Sequence, residues 1–442
     1  MDYTNTSIRK LFLKQLVPNI LGMALSALFV IVDGIFVGRG IGSEALAAVN
    51  IVVPIFTIMT GVGLMFGMGA AVSVTIFLSK GKKRAANQVA TLSFVVSSLI
   101  MFAYTVIAVC IPEKIVIFFG SPDEIIHPAS EYLVTLSLFA VFQTAICSLP
   151  YFVRISNPNF AMLSLTVATI LNIVLDYLFI FVFEWRLFGA AFATGIGQAV
   201  ATAILLYYLI KKSPAIRLVK LKYSLKSIKF GLKNTWQTVR LGFSVLLSEI
   251  TISAMSIAGN YTFGHYIGID GVAAFSIIGY IFPVVYMIFN SIVQSAQPVI
   301  SYNYGLDNRI NVLKSLRLTL TTAIATGGMF VVISTLFSSR LVSLFIPDKS
   351  SAAWIHAVGG LPYFSIDFIF FGMNVVFIGY YMSIEKSVRA LMITVIRGVL
   401  PVVCFAVVPV WFSYTGIWLS VPIAEILSTL FIAGSIIIRK SL

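Results

Sequence analysis

Gly38-Arg-Gly-Ile-Gly-Ser-Glu44-Ala-Leu-Ala-Ala48 returns 226 residues later as Gly264-His-Tyr-Ile-Gly-Ile-Asp270-Gly-Val-Ala-Ala274. Gly38, Ile41, Gly42, Ala47 and Ala48 recur as identities, and the acid Glu44 recurs as Asp270. Each copy is the polar punctuation between the first two long apolar runs of its half of the chain. Further on, Gly81 of SKGKKRAANQV corresponds to Gly305 of NYGLDNRINVL with a two-residue shift. Two halves of one design, arranged in tandem, are the expected architecture.

The runs on either side of these marks are made for lipid. The 442 residues are 59% hydrophobic and only 10% charged, with a mean hydropathy of +1.00, whereas soluble chains carry about 25% charged residues. A bilayer core of about 30 Å takes ~20 apolar residues per helix, and unsatisfied backbone in lipid restricts spans to helices or a closed barrel. Runs such as Leu16–Phe36 and Val89–Ile111 lack the period-2 alternation of barrel strands. The expected fold is an all-α integral membrane protein of twelve transmembrane helices in two six-helix lobes related by a pseudo-two-fold. The spans lie near 11–38, 45–79, 86–111, 124–152, 160–183, 188–211, 238–266, 270–304, 310–346, 352–382, 387–412 and 415–438. Lobe boundaries follow: helices 1–6 in residues 1–210, a basic linker at 211–237, and helices 7–12 in 238–442. Leu11 onward reads as a retained first helix, because no small-residue cleavage site follows it.

Alternating the connections across the membrane sorts the charges. The side that holds both termini receives 24 of the 30 basic residues, including Lys80, Lys82, Lys83, Arg84, Lys211 and Lys212. The other side receives five, and Arg397 falls inside a helix. This asymmetry places both termini in the cytoplasm of a bacterial cell, with the chain in its cytoplasmic (inner) membrane. The formal net charge of +14 is thus a topology signal with attraction to anionic membrane lipids, and nucleic-acid binding is not expected. Residues 211–240 hold nine basic residues and no acid; the stretch KYSLKSIKFGLKNTW within them predicts an amphipathic helix in the headgroups. Trp185, Trp354, Trp411 and Trp418 map to outer helix ends, as interfacial anchors do. Cys110, Cys147 and Cys404 lie far apart and read as small buried side chains, and His127, His265 and His356 as interfacial polar residues.

Five acids fall within predicted spans: Asp33, Asp176, Glu249, Asp367 and Glu425. Each costs about 2.5–3.5 kcal/mol at a helix centre, a cost that a proton or a bound cation relieves. Asn172 and Asp176 are i,i+4 and share a helix face, and Thr194 in GAAFATGIG offers a further oxygen. Carboxylates, an amide carbonyl and a hydroxyl suit a hard cation such as Na⁺, or a proton relay; a hydrogen-bonded packing cluster is the alternative. Pro18 stands fifteen residues before Asp33 and permits the first helix to bend. In the second half, Glu249 and Asp367 form either a second ion or substrate-cation site or a local pairing with Arg397. Glu425 has no evident partner.

These same residues carry a family resemblance over nearly the whole chain. Pro18 followed by VDGIFVGRGIGSEALAAVNIVVP (Val32–Pro54), LNIVLDYLFIF (Leu171–Phe181), GAAFATGIGQ (Gly189–Gln198) and AQPVISYNYG (Ala296–Gly305) resembles the multidrug and toxic-compound extrusion (MATE) family, in its bacterial MepA-like branch. The resemblance implies two six-helix lobes in a V and antiport of H⁺ or Na⁺ against amphiphilic, often cationic, drugs by alternating access. It implies that Asp33, Asn172, Asp176 and Thr194 carry the coupling ion, with a bent, Pro18-containing first helix linked to them. Other branches emphasise second-lobe acids, to which Glu249 and Asp367 correspond. A monomer is expected, with no cofactor beyond the coupling ion.

Two other classes are weighed against this. A lipid-linked precursor flippase of the same superfamily favours a strongly basic lumen, and here Arg397 is the clear membrane-embedded base. A receptor or membrane enzyme lacks support, since no nucleophile–base pair, metal motif or G-x-x-x-x-G-K-[ST] phosphate loop is present.

Overall fold

The computed structural model describes residues 6–41, 43–221, 224–346 and 348–438. Every element is helical: α1 Ile8–Gly40, α2 Ser43–Ser79, α3 Lys83–Cys110, α4 Pro112–Phe118, α5 Ile126–Leu138, α6 Ala140–Arg154, α7 Pro158–Tyr177 and α8 Arg186–Tyr207. The second series is α9 Leu225–Ile267, α10 Ile269–Gly305, α11 Arg309–Leu336, α12 Ser338–Ser343, α13 Ala352–Ser365, α14 Asp367–Ser383 and α15 Ser387–Ile438. The chain forms two compact units, Met1–Leu246 with Pro298–Arg309, and Leu247–Gln297 with Ile310–Leu442.

The offset of 226 runs far beyond the motif that revealed it. Helices α2 and α10 have 37 residues each and start and stop 226 apart; α3 and α11, of 28 residues each, do the same. The starts of α4 and α12, and of α5 and α13, keep the interval. The turn after α2 also repeats atom for atom. Gly81 has φ 69° and Asp307 has φ 55°; Gly81 N donates to Leu78 O at 3.0 Å and Lys82 N to Phe77 O at 2.8 Å, while Asp307 N donates to Tyr304 O and Asn308 N to Asn303 O, both at 3.0 Å. This is one left-handed helix stop built twice. It corrects the two-residue shift read from sequence: Gly81 corresponds to Asp307. Asp adopts the left-handed conformation more readily than most residues, so the shared geometry survives without a shared glycine.

Among the described residues, eight helices are long and apolar enough to cross a membrane, and two further pairs qualify when joined across bends of 51° and 42°. Those bends, at Phe139 and Ile366, lie within what the sequence reads as the single spans 124–152 and 352–382. One of the eight long helices counts twice. Drawn straight, α15 would separate Arg397 from Glu425 by about 42 Å, yet their side chains are 2.7 Å apart. Ser420 Oγ reaches Cys404 O at 3.3 Å, and Gly416 lies against the Val408 carbonyl. All three contacts are centred near residue 412, next to Ser413 with its non-helical φ 49°, ψ −133°. So α15 is a hairpin of two spans, in agreement with 387–412 and 415–438. With α1, 33 residues long and continuous through Pro18, the spans among the described residues number twelve.

Small residues set how closely the first unit packs. A Cβ on Gly63 would lie 2.7 Å from Cys147 Cβ, and one on Gly67 2.7 Å from Ser148 Cα, so this spaced pair brings α2 onto α6 at backbone distance. The basic segment is docked on the same unit. Arg217 N donates to Asn87 Oδ1 and Val219 N to Thr91 Oγ1, both at 3.0 Å, while Lys83 Nζ donates to Pro214 O at 2.7 Å. The predicted amphipathic helix is the opening of α9, continuous with the span that follows; Lys222 and Tyr223 lie outside the described residues.

Two expectations about single side chains are overturned. Trp418 is 1% exposed, its ring 4.8 Å from Phe263 and its indole lying over Gly360, so it is a core residue, not an interfacial anchor. Cys110 is exposed at the end of α3, while Cys147 is half-buried and Cys404 buried.

Candidate functional site

The first unit gathers its acids where α1, α7 and α8 pack. Gly197 lets α8 approach α7: a Cβ there would be 3.1 Å from Ala168 O and 3.4 Å from Asn172 Cβ. The face of α7 that meets this approach carries Asn172 and Asp176, 3% and 0% exposed. Asn172 Nδ2 donates to Thr194 Oγ1 at 3.2 Å. From α1, the carboxyl group of Asp33 comes within hydrogen-bonding reach of that of Asp176. The structure therefore brings together all four residues of the predicted cluster.

Acceptors dominate this cluster. Asp33 Oδ1, both carboxylate oxygens of Asp176 and Asn172 Oδ1 are buried and accept no hydrogen bond of good geometry; among the described residues the one donor near Asp176 is the Asn172 amide, which is bonded to Thr194. Two ionised carboxylates have no hydrogen to offer one another, so their contact becomes a hydrogen bond only with a proton between them. Buried acceptors are ordinarily satisfied, and buried like charges repel strongly. A set of four unsatisfied oxygens has the chemistry of a site for H⁺ or for a small hard cation. Tyr132 of α5, 6% exposed, lies within electrostatic range of both acids. Sequence reasoning missed it, because one tyrosine in an apolar run carries no signal of which helix it will meet.

The second unit treats its charges differently. Arg397 Nε donates to Glu425 Oε1 at 2.7 Å and Oε2 at 3.0 Å. Asn374 Nδ2 binds the same carboxylate and also Glu425 O at 2.9 Å, and Thr429 Oγ1 donates to Asn374 Oδ1 at 2.9 Å. This corrects the expected pairing: the partner of Arg397 is Glu425, because the α15 hairpin sets them face to face. Glu249 accepts from the Tyr286 hydroxyl at 2.6 Å. Asp367 is 0% exposed and neither of its carboxylate oxygens has a donor. Among the described residues no hydrogen bond or ion pair joins Glu249 to Asp367. Asp367 sits in the first turn of α14, just after the bend, where the free N–H groups of a helix start favour negative charge. Of the histidines, His127 and His265 are exposed, and His356 Nδ1 lies 3.0 Å from the Tyr414 hydroxyl.

Comparison with known proteins agrees with this architecture. The MatE family model matches residues 18–178 and again 245–407, one match in each half. The multidrug export protein MepA of Staphylococcus saprophyticus is 24% identical over 436 residues, covering 97% of this chain and 93% of that protein. Among solved structures, a MOP superfamily transporter from Pyrococcus furiosus superposes with a TM-score of 0.90 at 21% identity, over 99% of this chain and 97% of the other. An outward-facing multidrug resistance MATE family transporter gives 0.88 at 21% identity, over 99% and 97%. A family model that matches both halves, laid over twelve spans in tandem repeat, means that the chain belongs to the MatE family of multi-pass membrane transporters.

Proposed function

We propose that this chain is a secondary active multidrug exporter, which antiports H⁺ or Na⁺ against amphiphilic, often cationic, organic compounds by alternating access. The observation that carries this reading is the buried, acceptor-rich cluster of Asp33, Asn172 and Asp176 with Thr194, in which four oxygens accept no hydrogen bond. A cation or proton entering from outside neutralises the acids; its loss to the cytoplasm restores negative charge. Each state favours a different packing of α1 against α7, and Pro18 supplies a position at which α1 bends without losing a backbone hydrogen bond it needs. Coupling then follows from linkage, since an ion that binds one state more tightly shifts the population toward it. Glu249 and Asp367 form a second acidic site, for an ion or for the cationic group of a substrate. The basic excess on one side supports a bacterial inner-membrane protein with both termini in the cytoplasm, and we take it to act as a monomer.

Purified protein in proteoliposomes, with Na⁺ and pH gradients imposed separately, tests the reading. One gradient drives ethidium movement in the wild type, and Asp33→Asn and Asp176→Asn abolish that drive. Uphill transport at wild-type rate by both variants would remove the mechanism.

A further inference from the structure

Contacts within the first unit fix the depth at which α9 begins. Phe230 of α9 faces Phe77 of α2 with ring centroids 6.3 Å apart. A Cβ on Gly69 of α2 would collide with the Thr238 carbonyl, and one on Gly242 of α9 with the Met65 carbonyl. The three pairs share a single antiparallel register, so Lys229 is level with Leu78 and Lys226 with Gly81. Both lysines therefore stand at the height of the turn that carries Lys80 and Lys82. Leu232 and Trp236 lie lower, level with Thr75 and Ala71, within the apolar length of α2.

The two faces of this segment differ. Gly231, Asn234 and Thr238 are buried against the first unit. Leu225, Ile228, Leu232 and Trp236, at helical spacing on the other side, are 87%, 49%, 70% and 69% exposed. Lys226, Lys229 and Lys233 repeat the spacing one residue on and form an exposed basic stripe beside the apolar one. Their ammonium groups are not used inside the protein: among the described residues none of the three makes a hydrogen bond or an ion pair. No acid occurs in the sequence between Glu184 and Glu249.

Cations at headgroup height, with an apolar strip directly below them, are complementary to a phospholipid of net negative charge. A zwitterionic lipid brings its own cation to its phosphate and gains less. The same helix also leads to an acid. It runs unbroken to Ile267 and leaves the first unit after Leu246; Glu249 follows about 20 Å along the axis from Trp236. Whatever presses the start of α9 onto α2 therefore acts on the helix that presents Glu249.

We propose that the opening of α9 is a regulatory site for an anionic phospholipid of the cytoplasmic leaflet, whose occupancy raises the transport rate. The headgroup meets Lys226 and Lys229, Lys233 reaches up to it, and the acyl chains lie along Leu232 and Trp236. The rate effect rests on the exporter reading above; the lipid site does not.

The test uses the full chain in phosphatidylcholine vesicles with and without phosphatidylglycerol, with two readouts. Gradient-driven ethidium transport reports the rate. Quenching by brominated phosphatidylglycerol or brominated phosphatidylcholine, taken as the difference between wild type and Trp236→Phe, reports the lipid beside Trp236. Phosphatidylglycerol should raise the wild-type rate several-fold and be the better quencher. A basic side chain near an anionic surface is worth about a fivefold preference, so Lys226→Gln, Lys229→Gln and Lys233→Gln together should lower the relative affinity at least about tenfold. That triple variant should keep the wild-type rate in phosphatidylcholine alone, and the corresponding Lys→Arg triple should keep both responses. Three charges removed elsewhere on the same side, by Arg9→Gln, Lys10→Gln and Lys14→Gln, should leave both responses intact. Loss in this control would reduce the effect to overall surface charge and overturn the proposal. So would responses that survive the α9 Gln triple or vanish in the Arg triple. Absence of quenching by either lipid would mean that protein, such as a second copy of the chain, covers this face, and selective quenching without a rate effect would remove the regulation. Failure to move ethidium in any vesicle would overturn the exporter reading, while quenching would still decide the lipid site.

Discussion

The two units share a scaffold and differ in what they bury. Between α2 and α5 in the first unit and α10 and α13 in the second, helix starts coincide at an interval of 226, yet the acids do not. The residue 226 after Asp33 is Gly259, where a Cβ would collide with the Phe275 ring; Phe263, Phe275, Phe405 and Trp418 pack around that level. The first unit leaves two carboxylates facing each other without a donor. The second gives one carboxylate an arginine and an amide, another a tyrosine hydroxyl, and leaves Asp367 without a hydrogen bond but within electrostatic range of Arg397 and Glu425. Duplication preserves backbone geometry because helix length and turn type are set by many weak local preferences, whereas a buried charge is decided by one side chain and its neighbours.

Four measurements test this contrast, the largest effect first. Asp33→Asn with Asp176→Asn should abolish gradient-driven ethidium transport while leaving the melting temperature in detergent equal to or above that of the wild type. An amide pair satisfies itself where two carboxylates cannot. A lower melting temperature would mean that the acids are structural, as in the second unit. Glu425→Ala should do the opposite, destabilising by up to about 3–5 kcal/mol because it strands a largely desolvated guanidinium; thermal unfolding followed by tryptophan fluorescence reports it. Recovery in Glu425→Gln with Arg397→Gln would show that the loss came from the stranded charge.

Gly67→Ala probes the scaffold. Its new methyl meets Ser148 backbone at 2.7 Å, so overpacking of about 1–3 kcal/mol is expected. At Gly279, by contrast, nothing lies within 4 Å of an added Cβ, and Gly279→Ala should be neutral or slightly stabilising. The smallest effect belongs to Thr194→Val, which removes the acceptor for Asn172 Nδ2 at a cost of about 1 kcal/mol. The freed amide then turns toward Asp176, so the apparent affinity for the driving ion should fall several-fold with little change in maximal rate. An unchanged ion dependence would separate Thr194 from the site.

Much of the fold was legible because lipid imposes simple rules. Apolar run lengths placed the spans, and the hairpin at Ser413 was anticipated by the gap between 412 and 415, although the helical backbone runs almost unbroken through it. The bends at Phe139 and Ile366 were not legible, since neither coincides with a glycine or proline. The first-unit cluster was readable because Asn172 and Asp176 are one turn apart on one helix. The Arg397–Glu425 pair was not, because its partners are 28 residues apart and meet only after the chain reverses.

The amino-acid order by itself determined a helical membrane protein in tandem halves and named the carboxylates that must find relief from lipid. Only the tertiary structure decided which of them find a cation, a hydroxyl, or each other. Helical periodicity specifies the face on which a side chain lies, but not the helix that face will meet. At buried separations of a few ångströms, that neighbour determines whether a charge is neutralised in place or left ready for an ion.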